Sequence, residues 1–261
     1  MLFLIITIIY CICGQLSANG LSPEQKLRCE RIISVFESDT IQIKYTECED
    51  IVDGRGYTCG KFGFTTATGD AYEVVKQYTG KKPVNSLAEY LPELKRLAEE
   101  FSNDTTGLVG FPDAWHLSAT SDRVFNETQD EVSASMSYNP AMKWADVAHF
   151  KSAMGKCALY DCIIQHGNGN DGDGLPAIFN RTVVKEGGVV TDNEGKWIRA
   201  FLDMRQDDFK HPHDQINIDH RDKWPEHSER VDAFIDILNA ANMDLNGPIH
   251  VKTGHHDMIV P

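Results

Sequence analysis

The sequence predicts an α+β fold that is predominantly α-helical, with one small β-sheet near the N-terminus. Apolar residues recur at helical spacing along most of the chain, whereas strand-like alternation is confined to a short stretch after the first helical segment. The 261 residues contain no internal repeat, long linker or low-complexity tract. Because the chain is long enough to bury a complete core, we expect one compact domain over residues 19–261.

The first residues predict a secretory signal peptide. The run LFLIITIIYCI is uncharged and apolar, and small residues follow it. It is shorter than the roughly 20 apolar residues that a transmembrane helix needs. We therefore expect residues 1–18 to be removed and the mature protein to be secreted and extracellular. Sequons for N-glycosylation at Asn103, Asn126 and Asn180 agree with a eukaryotic secretory route and predict a glycoprotein.

The first expected element of the mature chain is a helix that begins in the stretch SPEQ. Ser22 suits the N-cap position, Pro23 the first helical position and Gln25 the third. Apolar residues then follow at i, i+3, i+4 and i+7, and the stripe ends at Phe36. The stripe therefore places Glu37 at the end of this helix.

A short strand and a tight turn are expected next. The stretch IQIKY, which starts at Ile41, alternates apolar and polar residues as strands do. The stretch DGRG, which starts at Asp53, predicts a turn because glycine tolerates a positive φ angle. Further apolar stripes predict helices at Ala71–Tyr78, Glu93–Phe101, about Trp144–His166, Glu194–Asp207 and Glu226–Ala240, and GNGNDGDG at 167–174 predicts a loop.

Five cysteines remain after removal of the signal peptide: Cys29, Cys48, Cys59, Cys157 and Cys162. An odd number allows at most two disulfides and leaves one thiol. Cys157 and Cys162 cannot bridge each other if they lie about one and a half turns apart in one helix. Cys48 and Cys59 could form a bridge that stiffens the residues between them, or remain two buried thiols, and secretion favours the bridge.

Two acids flank the predicted strand, Glu37 at a helix end and Asp53 in a glycine turn, so both could point into one cleft. Cleavage of a glycosidic bond needs such a pair, because one carboxyl must protonate the leaving oxygen while an ionised one activates water. Phe36 could exclude water from Glu37, and Arg55 could hold Asp53 ionised. Surface acids are far more common than catalytic ones, so two solvated carboxylates remain the alternative.

The surrounding motifs resemble glycoside hydrolase family 46, the chitosanases. Glu37 followed by QIKYTECEDIVDGRGYT and GFTTATGD is similar to the family's N-terminal catalytic signature. The resemblance continues in ALYDCIIQHG, FLDMR and RVD, in the family's order and over nearly the whole mature chain. It implies a lysozyme-like fold in which two lobes flank a substrate cleft. It also implies an endo-acting, inverting hydrolase of β-1,4-linked glucosamine polymers that needs no cofactor and no metal.

The resemblance also implies a role for individual residues. Glu37 corresponds to the general acid, Asp53 to the general base and Thr58 to the threonine that helps to position the attacking water. Substrate-binding roles fall on Arg55, beside the base, on Asp70, which would bind a glucosamine unit, and on Tyr57. In an inverting enzyme the two carboxyl groups stand about 6.5–9.5 Å apart.

Each of these residues also has a purely structural interpretation. Asp70 could be the N-cap of the helix that follows it, and both roles can hold. Thr58 and Tyr57 could be ordinary strand residues after the turn, and Arg55 a solvated turn residue. Tyr45, Tyr57 and Trp115 could stack on sugar faces, but each could equally belong to the core.

A buried ion network follows from helical periodicity. Apolar stripes carry both Asp161 and Arg205 toward the core. Because an unpaired buried charge costs several kcal/mol, we expect the two side chains to meet, with Arg230 as a third candidate member. The resemblance places all three in a network behind the cleft, where it holds the catalytic lobe and tunes the acid. A purely structural ion cluster is the alternative.

Two loops carry weaker signals for ligands. The connection after Arg205 contains His211, His213, His220 and His227, and an H-x-H pair near acids can bind zinc. Scattered histidines are common in polar loops, so no metal site is expected. The stretch NGNDGDG lacks the first acid and the final glutamate of a calcium loop. We expect it to form the cleft rim, where Asp171 and Asp173 could meet cationic sugars.

The charge balance restricts the partners. Lys and Arg number 25 against 39 Asp and Glu, a net charge of −14. Such a surface argues against nucleic acid and anionic membranes and favours a cationic polysaccharide such as chitosan, although it could merely keep the protein soluble. The protein is expected to be a monomer. Two alternative functions remain: a lysozyme-like chitin or murein hydrolase, and an amino-sugar-binding protein without catalysis.

Overall fold

A computed structural model describes residues 20–219 and 227–261. The expected signal peptide and His220 lie outside these residues. The helices are α1 Pro23–Ser38, α2 Asp70–Lys81, α3 Leu91–Glu100, α4 Phe111–Ser121, α5 Arg123–Ser133, α6 Asn139–Ala148, α7 Ala153–His166, α8 Leu175–Glu186, α9 Glu194–Lys210, α10 Gln215–Asp219 and α11 Glu229–Asn239. The strands are β1 Cys48–Asp50, β2 Tyr57–Cys59, β3 Phe64–Thr65, β4 Ile249–Lys252 and β5 Asp257–Val260. Among the described residues, no helix is both long and apolar enough to cross a membrane.

Two hydrophobic cores define two lobes, and the predominantly helical α+β class is confirmed. The small lobe combines the antiparallel sheet β1-β2-β3 with α2, α3, α4 and α5. The large lobe packs α1 and α6–α9 with α11 and the antiparallel hairpin β4-β5. Since the apolar side chains of the two cores form separate clusters, the surfaces between the lobes are available for a cleft.

One helical segment connects the lobes. α5 contributes Phe125 and Val132 to the small-lobe core, and α6 contributes Ala141 and Ala145 to the large-lobe core. Between them residues 134–138 form a single π-helical segment, so the chain stays helical from α5 through α6. Such π segments are often found at functional sites.

The helix predicted at about Trp144–His166 is wrong, because the chain breaks in its middle. α6 ends at Ala148, its C-cap His149 has a left-handed φ of 63°, and α7 starts after Ser152. The Ser152 hydroxyl caps α7 by accepting a hydrogen bond from the Gly155 N–H. Buried apolar residues on both sides of the break made the two helices look like one.

The predicted strand IQIKY is also wrong, although the region lies next to the sheet. The carbonyl of Tyr45 accepts hydrogen bonds from Trp115 Nε1 and Gln129 Nε2, and the carbonyl of Gln42 accepts one from the Ser34 hydroxyl. Side chains therefore satisfy the backbone that a neighbouring strand would have paired. The sheet begins instead at β1.

Several other elements differ from expectation. The helices α4, α5 and α8 were not predicted, and in α5 the buried polar residues Thr128 and Gln129 interrupt the apolar period. The C-terminal hairpin β4-β5 was missed. Phe101 was expected in the apolar stripe of α3, but it lies just past the helix with a φ of 50° and is 79% exposed.

Candidate active site

The predicted glycine turn connects β1 to β2 and presents Asp53 at the small lobe. Gly54 and Gly56 have φ angles of 83° and 74°, as the DGRG motif predicted. Cys48 and Cys59, which are direct partners across β1 and β2, form a disulfide that closes this loop at its base. The expected bridge is therefore confirmed, and the stretch from Asp50 to Gly56 is held at both ends by paired strands.

Both oxygens of the Asp53 carboxylate are engaged by Arg55. The backbone N–H of Arg55 donates to Oδ1 at 3.0 Å, and its Nε and Nη2 donate to Oδ2 at 2.7 and 2.6 Å. The side chain of Asp53 is about one quarter exposed, so a substrate or water can still reach it. The arginine thus fixes the orientation of the carboxylate.

Glu37 occupies the next-to-last position of α1, where the apolar stripe was expected to place it. Its Oε1 accepts an ion-pair hydrogen bond from Nη1 of Arg230 at 2.8 Å, and one quarter of the Glu37 side chain remains exposed. Asp39 follows as a left-handed C-cap that ends the helix. Glu37 therefore stands where a rigid helix stops.

Arg230 connects Glu37 to the buried carboxylate of Asp161. Arg230 Nη2 and Nε donate to Oδ1 of Asp161 at 2.7 and 3.1 Å, and Arg205 Nη2 donates to Oδ2 at 2.9 Å. Asp161 and Arg205 are fully buried. The predicted contact among these three side chains is confirmed, and Glu37 is ion-paired with one of them, Arg230.

This network carries two arginines and two carboxylates, so its formal charges balance. Burial disfavours the charged form of Arg230, but Asp161 and Glu37 together raise the pKa of Arg230 above its ordinary value. The network therefore holds the end of α1 against α7 and α11.

Thr58, Tyr57 and Asp70 lie on the small lobe near the Asp53 loop. Thr58 is in β2, and its buried Oγ1 has no hydrogen-bond partner among the described residues. Tyr57 is half-buried against Phe111, with ring centroids 6.3 Å apart, so part of its ring belongs to the core. Asp70 is the first residue of α2, and the N-cap is Gly69, so the N-cap interpretation of Asp70 is wrong.

The Asp70 carboxylate faces the space between the lobes. Its Oδ2 accepts a hydrogen bond from the Thr68 hydroxyl at 2.8 Å. Partial burial raises the pKa of Asp70, and this effect outweighs the opposing influences of Thr68 and Arg55. A cationic group brought next to Asp70 would favour its ionised form.

A cavity of about 340 Å³ lies between the lobes and contains two of the predicted substrate-binding residues, Arg55 and Asp70. The large lobe contributes Ile163 and Ile164 of α7, and the π segment contributes Ser137. Glu37 and Asp53 are not lining residues themselves. Asp53 is one ion pair away, through Arg55. Glu37 is farther from the lining, because its partner Arg230 bonds Gln165, which follows the lining residue Ile164 on α7.

A larger cavity, of about 520 Å³, lies between the α6–α7 junction and the loop before α9. Its lining includes His149, Lys151 and Asp192 but none of the predicted catalytic or substrate-binding residues. The interlobe cavity is therefore the better candidate for the substrate cleft.

For two residues the structure excludes a sugar contact that the sequence had left open. Asp173 is 1% exposed and accepts hydrogen bonds from the backbone of His213 and Asp214 and from Asn217, so it anchors a loop instead of meeting sugars. Trp115 is fully buried in the small-lobe core, which excludes it from stacking on a sugar. The rim of the cavity uses Gly167 and Asn168 from the same glycine-rich loop.

Two residues of this region were not predicted from the sequence. Gln165 bonds Arg230 and follows Asp161 by one turn of α7, a spacing that could have revealed it. Lys61 lines the cavity and is almost fully buried. A lysine in the otherwise uncharged stretch CGKFGF was the available signal.

The remaining cysteines form one further bridge. Cys29 on α1 and Cys157 on α7 are joined, and Cys162 is a buried free thiol. This leaves one thiol over, as the odd number of cysteines required. The second disulfide ties the helix that carries Glu37 to the helix that carries Asp161.

The profile of glycosyl hydrolase family 46 matches residues 31–249 of this chain. A chitosanase of Bacillus subtilis strain 168 is 47% identical over 245 residues, which is 93% of this chain and 87% of that protein. A chitosanase of Streptomyces sp. strain N174 is 34% identical over 238 residues, which is 88% of this chain and 80% of that protein.

Solved structures are similar over the same extent. A crystal structure of a mutant chitosanase from Bacillus subtilis MY002, complexed with 6 GlcN, is 46% identical, has a TM-score of 0.85 and covers 93% of this chain and 100% of that one. A Gynuella sunshinyii chitosanase in complex with chitotetraose is 38% identical, with a TM-score of 0.84 and coverage of 93% of this chain and 99% of that one.

Proposed function

Because this chain belongs to glycosyl hydrolase family 46, we propose that it cleaves the β-1,4 linkages between glucosamine units of chitosan by endo attack with inversion, using Glu37 as acid and Asp53 as base. That the chain is a glycosidase, a chitosanase, follows from its family and its relatives. The observation that supports the two roles is the contrasting setting of the acids. Glu37 is tied to a buried network of the large lobe, and Asp53 to a disulfide-closed loop of the small lobe.

The contacts of Glu37 suit a proton donor. Arg230 occupies Oε1, which leaves Oε2 to carry the proton toward the glycosidic oxygen. When the proton leaves, the new carboxylate already faces a guanidinium, so charge that develops in the transition state is stabilised without rearrangement. Asp161 on the other side of Arg230 keeps that guanidinium in place.

The contacts of Asp53 suit a base that activates water. Arg55 keeps both carboxylate oxygens oriented: its Nε and Nη2 both donate to Oδ2, whereas Oδ1 accepts one hydrogen bond, from the Arg55 N–H, and retains a lone pair for a water molecule. Thr58 follows the loop on β2 and has a buried hydroxyl oxygen without a partner among the described residues. We assign that hydroxyl the second contact to the attacking water. Inversion then requires the water and the acid on opposite faces of the sugar ring.

Binding of a polycation is supported by the carboxylate in the cavity. Asp70 lines the cavity and can pair with a glucosamine ammonium group. Arg55 also lines it, but its charge is matched by Asp53, so the arginine repels the substrate less than a free cation would. The half-buried ring of Tyr57 is assigned to the edge of the same site.

We further propose that the protein is secreted after removal of residues 1–18. Two disulfides are typical of an oxidising compartment. Of the three sequons, Asn103 is exposed in a loop. Asn126 instead donates to the backbone of Ala119, and its partner Thr128 is fully buried. We therefore expect a glycan at Asn103 and none at Asn126, which peptide mapping with and without a glycosidase would show.

Substitution of the two acids tests the catalytic roles. Glu37→Gln and Asp53→Asn should each lower kcat on chitosan by about 10²–10⁴-fold, because each removes one proton-transfer step, while oligosaccharide binding persists. Anomer-resolved NMR of fresh wild-type products should show the α-anomer. Glu99→Gln, on the exposed face of α3, is the control and should retain full activity. Undiminished turnover in Glu37→Gln would refute the assignment of the acid. A β-anomer as the initial product would refute inversion.

A further inference from the structure

We propose that Lys61 is a positioning residue that locks the two lobes together at the floor of the cleft and so sets the gap between Glu37 and the Asp53 loop. The inference rests on the proposed function for the roles of those two acids. Lys61 itself is not assigned a contact with substrate. It lies in the tight turn between β2 and β3 of the small lobe and lines the interlobe cavity.

The ammonium group of Lys61 reaches across the lobes. Its Nζ donates to Oε1 of Glu30 on α1 at 3.0 Å and to Oδ1 of Asp130 on α5 at 2.7 Å. Its backbone N–H donates to Oε1 of Gln129 at 3.0 Å. One residue of the small-lobe turn is therefore bonded both to the large-lobe helix that ends in the acid and to the helix that connects the lobes.

Phe62, the neighbour of Lys61, also contacts the large lobe. Phe62 packs against the large-lobe core although it belongs to the small-lobe turn, and its ring lies 6.3 Å from that of Tyr160 on α7. Phe62 adopts a left-handed φ of 60°, which is costly for a bulky residue. Contacts with the surroundings must hold such a conformation, and the ion pairs of the neighbouring residue Lys61 provide such contacts.

The turn also fits closely against the connecting helix. Gly60 has a φ of 62°, and a Cβ atom there would clash with Gln129 and Trp115. The turn can thus approach α5 only because residue 60 is glycine. The hydroxyl of Tyr45 donates to the Asp130 carboxylate at 2.9 Å and fixes the second partner of Lys61 as well.

The burial of these charges explains why the tie is specific. Lys61 is 2% and Glu30 5% exposed, so each would lose a buried ion-pair partner if the lobes moved apart: Lys61 would keep only Asp130, and Glu30 only the longer pair with Lys26 at 3.6 Å. An apolar contact at this point would allow the two lobes to slide past each other, whereas a buried ion pair has one favourable geometry. Pairing with Glu30 and Asp130 also cancels a positive charge that would otherwise repel a cationic polymer from the cavity floor.

Rigid elements connect this tie to the proposed catalytic groups. Glu30 precedes Glu37 by seven residues on the same helix, about 10 Å along its axis. Lys61 follows Thr58 by three residues, and Cys59 between them closes the Asp53 loop. Displacement of Lys61 from Glu30 therefore displaces the acid relative to the base and the water-binding hydroxyl.

The test compares Lys61→Met, Lys61→Arg and the double variant Lys61→Met/Glu30→Gln, which leaves no unpaired charge at Glu30. We expect Lys61→Met and the double variant to lose about 10–100-fold in kcat on a glucosamine hexamer, since small misplacements of catalytic groups cost this much, with KM changed less than about threefold. Lys61→Arg should restore most of the activity. Lys81→Met, which removes an ion pair with Glu131 and a hydrogen bond to Thr128, both confined to the small lobe, should keep wild-type kcat.

A spectroscopic measurement separates this lock from the catalytic roles. Spin labels at Lys95→Cys on α3 and Lys196→Cys on α9 report the distance between the lobes without any turnover, and Cys162 is buried and should not react. The distance distribution should broaden in the folded double variant but not in Lys81→Met or Glu37→Gln. An unchanged distance distribution together with wild-type kcat in the double variant would overturn the inference. Wild-type turnover in Glu37→Gln would instead overturn the assignment of the acid.

Discussion

At the scale of the residue, Asp161 is the centre of the network that holds Glu37. Its two oxygens serve two different arginines, and neither Asp161 nor Arg205 is accessible to solvent. Nη1 and Nε of Arg205 have no further partner within the described part of the chain, so Asp161 is the main group that compensates that buried charge. The network is thus both a structural necessity and the support of the proposed acid.

Replacement of this carboxylate should be costly. We expect Asp161→Ala to lower the free energy of unfolding by about 3–5 kcal/mol, because Arg205 and Arg230 would both lose a buried partner. Urea denaturation followed by circular dichroism measures the change. Asp203→Ala, which breaks the exposed pair with Arg199, should stay within about 0.5 kcal/mol of wild type. A comparable loss in both variants would show that the burial of Asp161 is not the cause.

At the scale of the element, the loop that carries Asp53 depends on the strands at its base. The three residues of β1 pair with those of β2, and the disulfide joins the first pair in this register. Val52 within the loop has a left-handed φ of 57° and is 88% exposed. A β-branched residue is strained in that conformation, so the loop needs the bridge to keep its shape.

Removal of the bridge should loosen the loop. The double variant Cys48→Ser/Cys59→Ser should lose about 3 kcal/mol of stability, the loop-closure entropy expected for a loop of this length. It should also lose kcat more than KM, since Asp53 would sample more orientations. Thermal unfolding and steady-state kinetics measure the two effects. Cys162→Ala removes a buried thiol of the large-lobe core and should keep kcat. If the double variant kept full kcat, contacts other than the disulfide would hold the loop.

At the scale of the whole molecule, the net charge of −14 fits a polycationic substrate. Charges outside the cleft act through their summed field, which steers and retains an oppositely charged chain. The two lobes add to this effect, because a cleft with low-dielectric walls focuses the field. We therefore expect the acidic surface to have a use beyond solubility.

Salt should weaken this attraction. The Debye length falls to about 10 Å at 0.1 M salt, so distant acidic residues stop contributing as salt rises. Between about 20 mM and about 300 mM NaCl we expect KM for polymeric chitosan to rise several-fold, with kcat nearly constant. The same series with a glucosamine tetramer, which has far fewer charges, should show a shallower slope. A KM for the polymer that does not depend on salt would show that the surface charge plays no part in binding.

The sequence by itself determined the features that depend on neighbouring residues. The cap of α1, the glycine turn at Asp53 and the apolar stripes that bury Asp161 and Arg205 follow from local chemistry and periodicity. The position of Glu37 at a helix end followed in the same way, and the motifs around it sufficed to indicate the family.

Only the tertiary structure decided which distant residues meet. The bridge from Cys29 to Cys157, the break at His149 and the loss of Asp173 from the sugar-facing side all follow from the packing of separate elements. The contact of Lys61 with Glu30 is of the same kind, because those residues belong to different lobes. Local rules fix what each segment prefers, but partners for a buried charge are chosen by the packing that encloses it.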